Sequence, residues 1–404
     1  MSHPLILFGA FDRHNFGDLL LAHLAVALLP QRELVFAGLA ERDLRPWGGH
    51  AVRALAALAP EVARRGADLL HVGGEILGCS AWQAAVMLQP LAQVQPLIAY
   101  LQERPHERAQ WVEAVIGTDA QAPYVVARAR LPGLRRCLFH GVGGAGLEDA
   151  PAPLRAEVLA ALRAADALSV RDRCTLATLA AAGVGARLVP DPAVRVAELF
   201  GRRIARRARQ GEVADVIAGL AGGYVALQIS AEFADDASLA ALAAQLDALA
   251  LATGLGVALF RAGGAPWHDE LDPLQRLAVR LRTARARVLR SLDLWDICAL
   301  IACSRAYAGS SLHGRLVATA YALPRLSLLP PQAGGQAAKL MAYLASWEAA
   351  GLPACAPVTA LAAALQQAMA ASPQALRRQA LTLEAASRGG WEALAPILDG
   401  PTRA

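Results

Sequence analysis

A chain of 404 residues is longer than a single hydrophobic core usually serves, so two domains are expected. Hydrophobic residues make up 55% and charged residues 18%, a balance that suits buried α/β layers and excludes a disordered chain. The net charge of +5 is scattered among acids and the 5% of aromatic residues do not interleave with arginines, which excludes a nucleic-acid-binding surface.

Of the 39 basic residues only Lys339 is a lysine. The one dense basic cluster, residues 202–209 (RRIARRAR), reads as the solvated face of a helix. The alternative for it is peripheral contact with an anionic membrane surface or an acidic polymer. The six cysteines (Cys79, Cys137, Cys174, Cys298, Cys303 and Cys355) form no CxxC pair and no metal-ligand spacing with histidine. They read as reduced, mostly buried thiols of a cytoplasmic protein, with no metal expected. The N-terminus lacks a basic leader, and its apolar run at 4–11 gives way to polar residues as a strand does, so no signal peptide is expected. The most apolar window, 237–260, contains Gln245, Asp247 and a Thr253-Gly254 turn, and reads as a helix followed by a strand rather than a membrane span.

Short apolar runs then alternate with alanine-rich helical segments, the pattern of parallel sheets with crossover helices. Strands are predicted at 5–11, 33–38, 68–73, 124–127, 137–141, 167–170 and 187–190. After a basic, glycine-bearing connector at 201–223 the series restarts at 224–230, 256–261, 305–308 and 325–329. Pro330, Pro331, Gly334 and Gly335 then make a loop, and the remainder is helical with breaks at Pro353 and Pro373. The expected domains are 1–210 and 211–370, with a helical segment at 371–404 that packs back on the first. The expected fold is α/β, with two Rossmann-like open parallel sheets facing across a cleft and ligands beyond the carboxyl ends of the strands.

Each polar cluster falls at such a carboxyl end. After the first strand, Asn15 and Asp18 can cap the helix that opens there or reach a ligand, and Gly17 permits a tight turn. Gly73-Gly74-Glu75 follows the third strand, where two glycines let backbone approach a substrate or simply suit a sharp turn. The run HGVGGAG at 140–146 lacks the full GxGxxG pattern, so no nicotinamide site is read there. Arg171 can aim its planar fork at a carboxylate or phosphate, or form a salt bridge to Asp172 or Asp191. His268, in Trp267-His268-Asp269-Glu270, can hydrogen-bond a hydroxylated substrate or face solvent.

The most informative stretch is 293–325. It reads as a helix, a short strand, and then Gly309-Ser310-Ser311-Leu312-His313-Gly314 opening a second helix before Pro324. Either serine can cap that helix, and a capped strand-to-helix turn is a ready anion site. His313 lies in its first turn, where it can hand a proton to whatever the turn holds. The alternative is a buried helix start whose histidine is structural.

Taken in order, these blocks resemble the polysaccharide pyruvyl transferase family. The matching pieces are Asn15-Phe16-Gly17-Asp18, the Gly73-Gly74 turn, SVRD at 169–172, PDPA at 190–193, HDE at 268–270 and SSLHG at 310–314, and together they span roughly residues 5–347. The resemblance implies a GT-B-like fold and transfer of the enolpyruvyl unit of phosphoenolpyruvate to a sugar of a surface polysaccharide as a ketal. It implies that His313 is the family's motif histidine and that Lys339 stands for the basic residue after the following strand. Catalysis is accordingly assigned to His313, Arg171 and Lys339. Donor binding is assigned to Ser310, Ser311, Gly314, Arg171 and Lys339, and acceptor binding to Asn15, Asp18, Gly73, Gly74, Glu75 and His268. Two positions depart from the family: Ser311 stands where many members have arginine, and Glu75 where many have a glycine run. No cofactor is expected beyond phosphoenolpyruvate as co-substrate. The acceptor is a saccharide, free or lipid-linked, and the place of action is the cytoplasm or the inner face of its membrane. The rivals are a nucleotide-sugar glycosyltransferase on the same fold and a non-catalytic member that binds an anionic saccharide.

Overall fold

A computed structural model of the chain describes residues 3–29, 32–330, 335–351 and 354–400. Pro331 and Gly334 of the predicted loop, and Pro353, lie outside the described residues. The chain forms two compact units, Met1–Pro192 joined by Ala386–Ala404, and Ala193–Ala385.

The first unit is built on strands β1 (Leu5–Phe8), β2 (Leu34–Gly38), β3 (Arg42–Asp43), β4 (Ala51–Ala54), β5 (Ala67–His71), β6 (Gly74–Glu75), β7 (Leu134–Gly143), β8 (Ala167–Val170) and β9 (Arg187–Leu188). Their order is β3-β4-β2-β1-β5-β7-β8-β9, with β6 on β7, and the β3–β4 pair is antiparallel while the rest are parallel. The second unit holds β10 (Tyr224–Gln228), β11 (Gly256–Phe260), β12 (Ala286–Val288), β13 (Ala306–Gly309), β14 (Arg325–Leu329) and β15 (Cys355–Pro357) in the order β12-β11-β10-β13-β14-β15, all parallel. Every residue of β1, β5, β10 and β11 is buried, which is why these strands are apolar on both faces rather than alternating, apart from Asp68 and His71 of β5 and Gln228 of β10. In both units the strand order reverses beside the first strand, at β1/β5 and at β10/β13. Such reversals leave a crevice at the carboxyl ends of the strands, where ligands of open α/β sheets bind.

In the first unit, helices α1 (Phe16–Leu28) and α2 (Arg173–Ala181) leave the carboxyl ends of β1 and β8. The second unit carries α3 (Val196–Arg207), α4 (Leu294–Ala302), α5 (Leu312–Ala320) after β13, and α6 (Gly335–Trp347) after β14. The last helix, α7 (Pro373–Asp399), begins in the second unit and ends in the first. There Trp391 lies 4.3 Å from the His140 ring.

Several features differ from expectation, among them the short strands β3, β4 and β6, which were not expected. Residues 124–127 are not a strand, because Tyr124 turns its buried ring inward to serve a polar cluster described below. The short edge strands β12 and β15 had too few residues to show a pattern, and β15 lies in a stretch expected to be helical. The units divide at Pro192, ahead of the connector at 201–223, because α3 packs on α4. Phe200 lies 5.1 Å from the Trp295 ring, the Arg203 guanidinium sits 3.9 Å above the same ring, and Arg207 pairs with Asp296 at 2.5 Å.

Beneath α5 lies a buried ionic cluster. The Arg315 side chain is 1% exposed and donates from Nε (3.1 Å) and Nη2 (2.5 Å) to Glu348 Oε2, and from Nη1 to Ser327 Oγ (3.1 Å) and the Ala354 carbonyl (2.9 Å). Arg325 donates to Glu348 Oε1 (2.8 Å) and to the Gln379 side chain of α7. Burial alone would raise the Glu348 carboxyl, but the Arg315 and Arg325 guanidiniums outweigh it and hold the group below the usual range. Removing one partner of such a cluster leaves uncompensated buried charge, so Glu348→Ala should destabilise the protein by roughly 3–5 kcal/mol in urea unfolding. A loss under about 1 kcal/mol, the size expected of an exposed pair, would show that the cluster is solvated.

Candidate functional site

The second unit gathers its polar residues at the β10/β13 reversal. Ser311 is the cap of α5: its backbone is extended (φ −78°, ψ 121°) and its Oγ accepts from Gly314 N at 3.2 Å. Ser310 has a different task, because its Oγ donates to Gln228 Oε1 (3.3 Å) and accepts from Ser230 N (3.2 Å). Tyr307 closes the turn from below, donating its hydroxyl to the Ser311 carbonyl at 3.0 Å. A Cβ at Gly309 or Gly314 would lie 2.6 or 2.5 Å from that hydroxyl, so both glycines are required by space. His313 is the second residue of α5 and half-buried.

Gln228, the last residue of β10, organises this turn. Its Oε1 accepts from Ser311 N at 2.7 Å as well as from Ser310, while its Nε2 donates to Asp269 Oδ2 at 2.8 Å. The carboxylate therefore fixes which way the amide points. Asp269 also accepts from Ala262 N at 2.6 Å. Burial pushes its carboxyl up to about 7, against those two hydrogen bonds and the positive charges of Arg261 and Lys339. Lys339 on α6 thus acts on the same end of the sheet as the Ser310–Ser311 turn. His268 turns toward its own loop: its Nδ1 lies 3.0 Å from the Pro266 carbonyl, and its ring fills the space above Gly263.

In the first unit, Asn15 caps α1, with its Oδ1 accepting from Gly17 N at 3.0 Å. Asp18 is buried in the first turn, 3.1 Å from where a Cβ on Gly74 would stand. Gly73 and Gly74 have φ of 112° and 87°, a conformation that favours glycine. Both arms of the Arg171 fork, expected to face an anionic donor, are taken by carboxylates: Nη1 donates to Asp191 Oδ2 at 2.9 Å and Nη2 to Glu75 Oε2 at 2.7 Å. Glu75 Oε1 in turn accepts from Ala145 N at 2.8 Å. A side chain at Gly143 would collide with this pair, which gives the glycine-rich run at 140–146 a structural purpose. Arg171 and the SSLHG turn belong to different units.

Sequence reasoning missed Gln228, Asp269 and Tyr307 in the second unit, and the cluster of Asp12, Arg13 and Tyr124 in the first. Tyr124 donates its hydroxyl to Asp12 Oδ1 (2.8 Å) and accepts from Arg13 Nη1 (2.5 Å), while Asp12 Oδ2 accepts from Leu39 N at 2.6 Å. The available signals were Gln228 as the polar end of an apolar strand and Asp269 inside the HDE triplet. Among the described residues, no group of three or more His, Cys, Asp or Glu is placed to hold a metal, and no helix is long and apolar enough to cross a membrane.

A carboxyl raised from 3.8 to about 7 on folding binds its proton more tightly in the folded state. Its contribution to stability is therefore full below about pH 4 and is lost as the pH rises through about 7. Asp269→Asn should flatten the fall in unfolding free energy over that window, measured by denaturant titration at several pH values. An unchanged pH profile would assign the fall to other groups.

No curated protein matches the chain. The structure is similar over 99% of its length to all of the UDP-GlcNAc 2-epimerase from Neisseria meningitidis, at a TM-score of 0.55 and 10% identity. It is similar over 100% of its length to 98% of an α,α-trehalose-phosphate synthase (UDP-forming) from Burkholderia vietnamiensis, at a TM-score of 0.50 and 13% identity. At such identities the likeness shows the fold alone, and the fold is GT-B-like: α/β, with two parallel sheets and C-terminal helices. Residues 136–328, from β7 of the first unit through β14 of the second, match the family model for polysaccharide pyruvyl transferase. The matched segment contains Arg171, Gln228, Asp269 and the whole SSLHG turn.

Proposed function

We propose that the protein transfers the enolpyruvyl unit of phosphoenolpyruvate to a sugar of a surface polysaccharide, leaving a pyruvate ketal across two hydroxyls. The observation that carries this reading is the turn at the β10/β13 reversal, where the capped start of α5, His313 and the charge of Lys339 share one end of the sheet. The donor is anionic at phosphate and carboxylate, and a helix start with a nearby ammonium suits both.

In the reaction the methylene carbon of the donor gains a proton and becomes a methyl group, while one sugar hydroxyl adds to the neighbouring carbon. A second hydroxyl then displaces phosphate. One hydroxyl proton ends on the methyl carbon and the other on the departing phosphate, so the sequence needs no outside reagent. His313 is assigned the proton transfers, since an imidazole gives and takes protons near neutral pH. Ser311 serves the donor better than Ser310, whose hydroxyl proton is committed to Gln228. Arg171 enters as the residue that fixes Glu75 and Asp191, and the donor site draws its positive charge from Lys339 and the helix start. Asn15, Asp18, Gly73, Gly74 and Glu75 are assigned to the saccharide acceptor, which we take to be lipid-linked and presented at the inner face of the membrane.

Mass spectrometry of candidate acceptors after incubation with phosphoenolpyruvate should detect the added pyruvyl mass together with released phosphate. Release of nucleoside diphosphate from a nucleotide sugar would favour glycosyl transfer instead, the chemistry suggested by the UDP-linked names of the structural neighbours. Loss of the proton-transfer group should lower turnover of His313→Ala by on the order of 10²–10⁴, and near-wild-type turnover would remove His313 from the mechanism. For Lys339→Ala the expected change is a raised KM for phosphoenolpyruvate, and an unchanged KM would separate this lysine from the donor.

A further inference from the structure

The arginine cluster at 202–209 is not absorbed by the pyruvyl-transfer reading. On α3 it splits by helical spacing. Arg203 and Arg207, one turn apart, face α4, the first stacked on Trp295 at 3.9 Å and the second paired with Asp296 at 2.5 Å. Arg202 and Arg206 occupy the outward face, and Arg209 extends it into the turn that closes the helix. All three are exposed, and among the described residues none forms an ion pair. With Ala205 and Gln210 they line a surface pocket of about 400 Å³.

Three guanidiniums kept without counter-charge on one helix face repel one another, and a packed fold gains nothing from that arrangement. Their row runs about 10 Å along the face, at 1.5 Å per residue. Gln210 is the one further polar side chain lining the pocket, too little to enclose a single small anion. A row of exposed cations matches a plane of negative charge better than a point charge, and the patch carries no aromatic residue on which a nucleic-acid base could stack.

We propose that the outward face of α3, through Arg202, Arg206 and Arg209, docks the protein on an anionic phospholipid bilayer. The choice of a membrane rests on the proposed use of a lipid-linked acceptor, but the docking can be measured without donor or acceptor. The full chain is sedimented with vesicles of phosphatidylcholine alone and of phosphatidylcholine with phosphatidylglycerol. Binding to the anionic vesicles is expected, with release as salt shortens the screening length to about 3 Å near 1 M. At roughly 1 kcal/mol per surface arginine, the triple variant R202Q/R206Q/R209Q should lose on the order of 10²-fold in partitioning. The charge-matched variant R64Q/R65Q/R104Q, exposed on the first unit, should retain it.

Equal binding to both vesicle types would overturn the proposal, and so would equal losses in the two variants. Release by inorganic phosphate at an ionic strength where chloride has no effect would replace the bilayer with a small-anion site. Vesicle binding without pyruvyl transfer would count against the enzymatic reading alone. Transfer to a soluble acceptor without vesicle binding would count against the docking face alone.

Discussion

The second unit depends on one buried carboxylate. Glu348 receives both Arg315 from α5 and Arg325 from β14, so the helix that carries His313 is tied to the strand beside it through a shared anion. Gln379 extends the tie to α7. The arrangement is costly to desolvate, and a hydrophobic substitute of equal volume could match it in stability. What a hydrophobic substitute could not supply is direction. The planar forks fix the rotation of α5 about its axis, and with it the heading of the first turn.

Above that anchor, a second carboxylate sets the chemistry of the turn. Asp269 orients the Gln228 amide, the amide holds the Ser311 N–H and the Ser310 hydroxyl, and the two serines are thereby made unequal. The first unit uses the same device at its own strand reversal, where Asp12 holds Tyr124 and Tyr124 receives Arg13. In each case a buried acid beyond the end of a central strand positions a neutral group, which then positions the residues nearest the crevice. Buried networks of this kind rigidify a site and specify its geometry.

The architecture was legible in the sequence because uninterrupted apolar runs in parallel strands and helical periodicity between them are local signals. The turn at Ser310–Gly314 was legible for the same reason: its cap, its glycine and its histidine are neighbours in the chain. Arg171 shows where that reasoning stops. Its type and position pointed equally to a ligand or to a salt bridge, and the choice was made by Glu75, 96 residues away in sequence. Gln228 and Asp269 were missed because each is an ordinary residue until the sheet brings them to 2.8 Å. The misread segment at 124–127 follows the same rule, since an apolar run with a tyrosine resembles a strand until the tyrosine finds Asp12.

The replacement of lysine by arginine throughout the chain has a chemical consequence at Lys339. An arginine guanidinium stays charged and unreactive at any pH where the protein is folded. The chain therefore presents a single side-chain amine to acylating or reductive-alkylating reagents, and that amine stands within the field of Asp269. Among side-chain amines, such a reagent reads one locus of this protein.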